Sequence, residues 1–248
     1  MRLNGKVAVV TGGGRGIGFG VATRLASEGA SVAVADLDSS SAEAAAARLR
    51  DNGASAFGMA MDVADEASVE RFFDATAREL GPVSILIHSA AIWSNATVEQ
   101  MPTDEWQRVM DINTRGTFLV CKRAMRDMVP MGSGRIVNIA STIFLSGGPG
   151  YSHYAASKGA VIAFSRALAG EAGPHGITVN CIAPGLIATE AALATHGKTG
   201  VAAVVGHQLI NRAGSVEDIA EAVGYFVGPG AGFTTGQTLY VNGGTHFA

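Results

Sequence analysis

Short apolar runs rich in β-branched residues alternate along the chain with longer stretches whose apolar positions recur at helical spacing. KVAVVT (6–11) reads as a buried strand, and GIGFGVATRLASEG (16–29) as a helix ending at Gly29. SVAVAD (31–36) is a second strand, followed by an alanine-rich helix from about Ser40 to Asn52. AFGMAMDV (56–63) and VSILIHSA (83–90) are strands flanking an amphipathic helix at 66–80. Helical spacing then runs through 104–129, and GRIVNIAS (134–141) is a fifth strand. A helix through 150–173 leads to GITVNCIAP (176–184), and GQTLYVNGG (236–244) closes the series.

Continuous apolar strands alternating with helices predict a parallel sheet covered on both faces. Right-handed crossovers then give an α/β, doubly wound, Rossmann-type sheet. No linker-like shift in composition and no internal repeat interrupts it, so residues 1–248 read as one domain. The irregular stretch between Pro184 and Ser215 is too long for an ordinary connection and is expected to form a lid, at about 186–212.

Composition sharpens this picture. Glycine is 33 of 248 residues and charged residues only 16%, which predicts extensive buried surface. A net charge of −3 with no basic run argues against nucleic acid. The two cysteines, Cys121 and Cys181, lack metal-ligand spacing and read as free buried thiols, and no metal is expected. The first residues carry too short an apolar run for a signal peptide, and no stretch is long enough for a membrane helix. A cytoplasmic protein is the expectation.

Candidate chemistry begins at TGGGRGIG (11–18), directly after the first strand. Glycines there let backbone approach a pyrophosphate, while the following helix offers free N–H groups and positive potential. The spacing is T-G-x-x-x-G-x-G on Gly12, Gly16 and Gly18, and tight strand-to-helix turns also recruit glycine for steric reasons. Asp36 ends the second strand, where a carboxylate can accept hydrogen bonds from both ribose hydroxyls and repel a 2′-phosphate. Capping the next helix is the alternative use of an acid there, though Asp38 or Ser39 serves equally well. Arg15 argues for a phosphorylated cofactor, but Leu37 after Asp36 offers no base, so NAD is expected over NADP.

Tyr154 and Lys158 are four apart, hence one turn apart on one helical face, and Tyr151 falls near that face. In a doubly wound sheet the carboxyl ends of strands meet the N-termini of the following helices. Ser141, Tyr154, Lys158 and the glycine loop are therefore expected to converge.

These elements, together with DV at 62–63, Asn113 in DIN, PGLIAT at 184–189 and the closing GQTLYVNGG, make the whole chain resemble the short-chain dehydrogenase/reductase family. The resemblance implies about seven parallel strands, a nicotinamide cofactor, a homotetramer, and a tetrad of Asn113, Ser141, Tyr154 and Lys158. It also implies that Gly12, Arg15, Gly16, Ile17, Gly18, Asp36, Leu37, Asp62, Val63, Ser89, Ala90, Pro184, Gly185, Ile187 and Thr189 hold the cofactor with Tyr154 and Lys158. One departure is HSAA (88–91), where the family usually has Asn-Asn-Ala-Gly; His88 reads as a buried structural histidine and Ala91 alters a wall of the site.

Within that resemblance Tyr154 exchanges the proton, Ser141 holds the substrate oxygen, and Asn113 positions a relay water. Lys158 orients the cofactor and acidifies Tyr154. Working as a base near neutral pH asks the phenol to drop roughly three units from about 10, about 4 kcal/mol. An ammonium about 5 Å away supplies roughly 3 kcal/mol of that.

Ile92, Trp93, Thr142, Phe144, Tyr151 and Leu186 are expected around the substrate, with Trp93, Ser141, Phe144, Tyr151 and Leu186 as its principal contacts. That largely apolar set predicts NAD-dependent interconversion of a secondary alcohol and an apolar or aromatic ketone, similar to the 1-phenylethanol and pyridoxal dehydrogenase branches. The acyl-carrier-protein reductases share the motifs and imply NADPH and an acidic carrier, which makes a 3-oxoacyl reductase the alternative. A catalytically silent nucleotide sensor has no use for the intact tetrad, and a methyltransferase none for Tyr-x-x-x-Lys.

Overall fold

A computed structural model describes residues 1–247, and within them every side chain except those of His196 and Lys198. Its centre is one seven-stranded parallel sheet in the order β3-β2-β1-β4-β5-β6-β7. The strands are β1 (Val7–Thr11), β2 (Ser31–Asp36), β3 (Ala56–Ala60), β4 (Ile85–His88), β5 (Gly134–Ile139), β6 (Ile177–Pro184) and β7 (Thr238–Val241). The helices are α1 (Gly16–Ser27), α2 (Ser39–Asp51), α3 (Glu66–Glu79), α4 (Thr103–Met110), α5 (Gly116–Met131), α6 (Ile143–Ser146), α7 (Ser152–Ala172), α8 (Glu190–Val205) and α9 (Val216–Val227). The doubly wound sheet expected from the apolar runs is thus what the chain builds.

Alternation within each strand divides the core in two. Ala8, Val10, Ile85 and Ile87 point to one face and pack on Val21 and Leu25 of α1, Leu49 of α2, and Ile219 and Val223 of α9. Val7, Val9 and Leu86 point to the other and meet Phe72 and Phe73 of α3, Val120 and Met128 of α5, and Leu168 of α7. Strand β1 pairs with both β2 and β4, so the winding reverses between β1 and β4. That reversal opens a crevice at their carboxyl ends.

Three segments depart from the sequence reading. The helical spacing across 104–129 is α4 and α5 joined by one wide π-helical turn, Asp111–Arg115. The stretch expected to be irregular after Pro184 is mostly α8, broken at Gly197 (φ 61°, ψ 176°). Helix α9 was not anticipated, although Ser215 and Asp218 start it with a reciprocal capping box.

Cys121 and Cys181 are free and buried. Burial pushes their thiols up to about 12 and about 11. Among the described residues no helix is long and apolar enough to cross a membrane, and no cluster of metal-ligating side chains exists.

Candidate active site

The crevice is a cleft of about 1070 Å³. Gly12, Arg15, Gly16, Ile17, Gly18, Asp36, Leu37, Asp62, Val63, Ser89, Ala90, Trp93 and Thr189 all line it. The glycines are there because no side chain fits. A Cβ on Gly18 would lie 2.1 Å from the Gly12 carbonyl oxygen, and one on Gly12 would lie 2.9 Å from Ala90 Cα. Gly12 and Gly16 also have φ of +60° and +54°. A bare backbone cradle at the start of α1 fits the pyrophosphate of a dinucleotide. Thr189, which caps α8 by accepting the Ala192 N–H, approaches the loop at Gly16.

Asp36 does not stand free. Gly14 N–H donates to Oδ2 at 3.0 Å and Asp38 N–H to Oδ1 at 3.3 Å, while Asp38 itself caps α2. The carboxylate braces the glycine loop, and exposed Arg15 lines the same cleft.

Next to Trp93 of the cleft wall, Tyr154 lies in the first turn of α7 and Lys158 one turn further in; neither they nor Asn113 and Ser141 border the cleft itself. Tyr154 is half-buried; burial pushes its phenol up to about 12, against a hydrogen bond with Ser141 that works the other way. Lys158 is buried, donates from Nζ to the Ile139 carbonyl at 2.8 Å, and sits 5.7 Å from the Tyr154 ring centre. Burial brings its amine down to about 8. Burial is the larger of the two influences on the Tyr154 phenol, which stays protonated at neutral pH.

Asn113 lies in the wide turn. Its Oδ1 accepts the Ile92 N–H at 2.8 Å, and its Nδ2 donates to Ile92 O at 2.9 Å and Ser157 Oγ at 3.0 Å. The side chain therefore grips the loop after β4 and has no donor left for a water. Thr117 Oγ1 donates to the Asn113 carbonyl at 2.6 Å.

His88 forms a buried knot with the first strand. Thr11 Oγ1 accepts the Ser89 and Ala90 N–H groups, each at 3.1 Å. With its acceptor capacity used, the hydroxyl donates its own proton to His88 Nδ1 at 2.8 Å. His88 is thus neutral, with the ring proton on Nε2. Burial, aided by the nearby Lys158 charge, holds its pKa down to about 3.

The expected substrate residues separate. Trp93 lies 6.2 Å from Tyr154, ring centre to ring centre. Phe144 instead stacks on Tyr240 at 6.3 Å, and buried Thr142 bonds the Pro184 carbonyl. Tyr151 precedes α7 and makes no capping bond through its side chain. Leu186 and Ile187 pair with Gly214, Ile187 entering the core, while Gly185 N–H bonds Val241 O. Pro184, Gly185, Leu186, Ile187, Tyr151 and Phe144 do not line the cleft. Sequence reasoning missed the wall supplied by α9, where Val216, Glu217, Ala220 and Glu221 border it.

This geometry can be set beside known proteins. A family model described as enoyl-(acyl carrier protein) reductase matches residues 12–246. The chain is 37% identical to the 3-oxoacyl-[acyl-carrier-protein] reductase FabG of Vibrio cholerae over 246 residues, covering 99% of each protein. It is also 37% identical to the FabG of Haemophilus influenzae over 248 residues, covering 99% of this chain and 100% of the relative. A solved structure described as "Crystal structure of gox2181" superposes with a TM-score of 0.95 at 32% identity, covering 98% of this chain and 96% of that one. The chain belongs to the short-chain dehydrogenase/reductase family. As a member it is an oxidoreductase acting on CH–OH groups and their carbonyl counterparts.

Within the short-chain dehydrogenase/reductases, the relatives' names overturn two expectations. The reading as an NAD-dependent dehydrogenase of aromatic or apolar alcohols, similar to the 1-phenylethanol and pyridoxal branches, gives way to the 3-oxoacyl reductase alternative. Its physical weakness is visible in the site. Phe144 and Thr142 are committed to internal packing, and an apolar wall suits an acyl chain as well as an aromatic ring. The NAD assignment falls with it, because these names belong to the branch whose resemblance implied the phosphorylated cofactor. It rested on Asp36 and on the lack of a base at Leu37, and the Asp36 carboxylate is engaged by the chain's own N–H groups.

Proposed function

We propose that the protein reduces a 3-oxoacyl thioester carried on an acyl carrier protein to the 3-hydroxyacyl form, with NADPH as reductant. The full-length similarity to FabG proteins carries this reading. A Tyr154 phenol pushed up to about 12 supports the reductive direction, since the residue then holds a proton to give.

A bound NADPH would supply hydride chemistry at the C3 carbonyl carbon. Tyr154 and Ser141 hold the carbonyl oxygen, and Tyr154 transfers its hydroxyl proton to that oxygen as negative charge develops. Lys158 places an ammonium near the resulting phenolate. The Gly12–Gly18 loop would receive the pyrophosphate, Asp62, Val63, Ser89 and Ala90 would border the adenosine side, and Arg15 would meet the 2′-phosphate. Asn113 holds the Ile92 backbone and thereby the wall next to Tyr154. Residues 1–248 act as one dinucleotide-binding domain, in which 186–212 closes over the substrate by bending at Gly197. We also place the enzyme in the cytoplasm as a homotetramer; Phe118 on α5 and Leu239 on the edge strand β7 are exposed apolar surface that partner copies would cover.

The test is a spectrophotometric comparison of both nicotinamide cofactors with an acetoacetyl thioester and with 1-phenylethanol. We expect thioester reduction, with kcat/KM for NADPH at least about tenfold above NADH, the scale of one charge-assisted hydrogen bond. Oxidation of the aromatic alcohol without thioester reduction would refute the assignment, and a cofactor ratio near one would remove Arg15 as its determinant.

A further inference from the structure

His153, immediately before Tyr154, is fully buried on α7. Its Nε2 lies 2.8 Å from Ser94 Oγ, on the loop after β4 and 59 positions away in sequence. Beside Ser94 stands the Glu105 carboxylate, which Arg108 grips through Nε at 2.8 Å and Nη2 at 3.0 Å. Four side chains therefore gather between the surface of α4 and the residue preceding Tyr154, as two hydrogen-bonded pairs side by side.

The direction of each hydrogen bond follows. Arg108 and Ser94 hold Glu105 down to about 2, so it is an acceptor only. The acceptor-only carboxylate beside Ser94 favours the arrangement in which Ser94 turns its single proton toward Glu105 and Ser94 Oγ accepts from His153 Nε2. His153 is neutral in this arrangement, and its buried Nδ1 has no partner among the described residues. That uncompensated acceptor costs free energy. The side chain is not held there by its own satisfaction.

What this group secures is the segment between Ile92 and Ala96. Asn113 fixes one end through both Ile92 backbone groups. At the other end Ala96 N–H donates to Gly150 O at 3.0 Å, and Asn95 Nδ2 to Pro149 O at 3.4 Å. Ser94 is the side-chain tie between these two, and the residue beside it is Trp93, which packs against Tyr154 and borders the cleft.

We infer that Ser94 and His153, anchored by Glu105 and Arg108, are positioning residues that hold Trp93 against Tyr154 and so set the wall met by the acyl chain. This rests on the proposed reaction for its substrate but not for the clasp itself. No side chain in it reaches the reacting atoms, so its loss should loosen substrate binding while leaving the cofactor loop untouched.

The experiment uses the full chain carrying Trp106→Phe, which leaves Trp93 as the only tryptophan. Acrylamide quenching of Trp93 without substrate is compared for the parent, Ser94→Ala, His153→Leu and His153→Gln. In the same proteins KM and kcat are measured for an acetoacetyl thioester. Ser94→Ala and His153→Leu should increase Trp93 quenching. They should also raise KM for the thioester about tenfold, the scale of one lost hydrogen bond, with kcat changed less and KM for the cofactor unchanged. His153→Gln, whose amide can still donate to Ser94, should restore both readouts; circular dichroism identifies any variant that fails to fold. Parent-like quenching in folded Ser94→Ala and His153→Leu, or equal loss in His153→Gln, would overturn the clasp. Quenching decides the clasp even if the thioester is not turned over, an outcome that would count against the proposed reaction alone.

Discussion

Tyr154→Phe is expected to lower turnover by at least about a thousandfold, within the range of a positioned general acid. The change removes one hydroxyl and its bond to Ser141, and keeps the ring packed beside Trp93. Stability should therefore move by no more than about 1 kcal/mol, and cofactor affinity should stay near that of the parent because the glycine cradle keeps its shape without the Tyr154 hydroxyl. Tyr151→Phe is the control: that side chain makes no capping bond and precedes α7, outside the turn that carries Tyr154 and Lys158, so turnover should stay within a few-fold of the parent. Steady-state kinetics with a dissociation constant for the cofactor separates the two. Substantial activity in the Tyr154 variant, or its loss in the Tyr151 variant, would place the proton on the wrong tyrosine.

Lys158→Met should lower turnover by roughly a hundredfold or more, as expected for a lost electrostatic contact at the site of developing charge, and yet make the fold more stable at pH 7. Burial brings the amine from its ordinary 10.5 down to about 8. Below pH 8 the lysine is charged in both the folded and unfolded chain, and the fold bears the full cost of burying that charge. The depression corresponds to about 3 kcal/mol, from which the lost bond to Ile139 subtracts about 1 kcal/mol. As pH rises from 8 to 10.5 the folded lysine sheds its proton first, the parent gains stability, and the advantage of the variant shrinks. Thermal melts at pH 7 and pH 10 read this directly, with an expected rise in Tm of several degrees at the lower pH. A lower Tm for the variant at pH 7 would mean that the ammonium stabilises its surroundings and that burial has been overweighed.

Much of the fold was legible because a parallel sheet covered on both faces needs strands apolar on every residue, and such runs stand out between helical stretches. The wide turn at Asp111–Arg115 was not, since apolar positions continue across it without a change of rhythm. Helix α9 did leave a signal in Ser215 and Asp218, but it followed a stretch expected to be irregular. In the site, glycine spacing marks residues that line the crevice, and Tyr-x-x-x-Lys marks the turn of α7 whose tyrosine packs beside Trp93 of that lining. Phe144 misled for a physical reason: its stacking partner, Tyr240, is on the last strand, and no local pattern distinguishes an aromatic ring that packs from one that lines a pocket. The tie between Ser94 and His153 is invisible in sequence for the same reason of distance along the chain.

The two cysteines give the sheet a chemical clock. Cys121 is 0% and Cys181 1% exposed, and both thiols are held in the protonated, unreactive form at neutral pH. An alkylating reagent can reach them only when α5 or β6 comes away from the core, so labelling counts opening events. Each thiol reports its own element, and two labelling rates that coincide would show that helix and strand open as one unit. A faster rate at Cys121 would instead locate the weaker part of the core in α5. Labelling of the native protein as fast as a free cysteine would show that neither thiol is sequestered in solution.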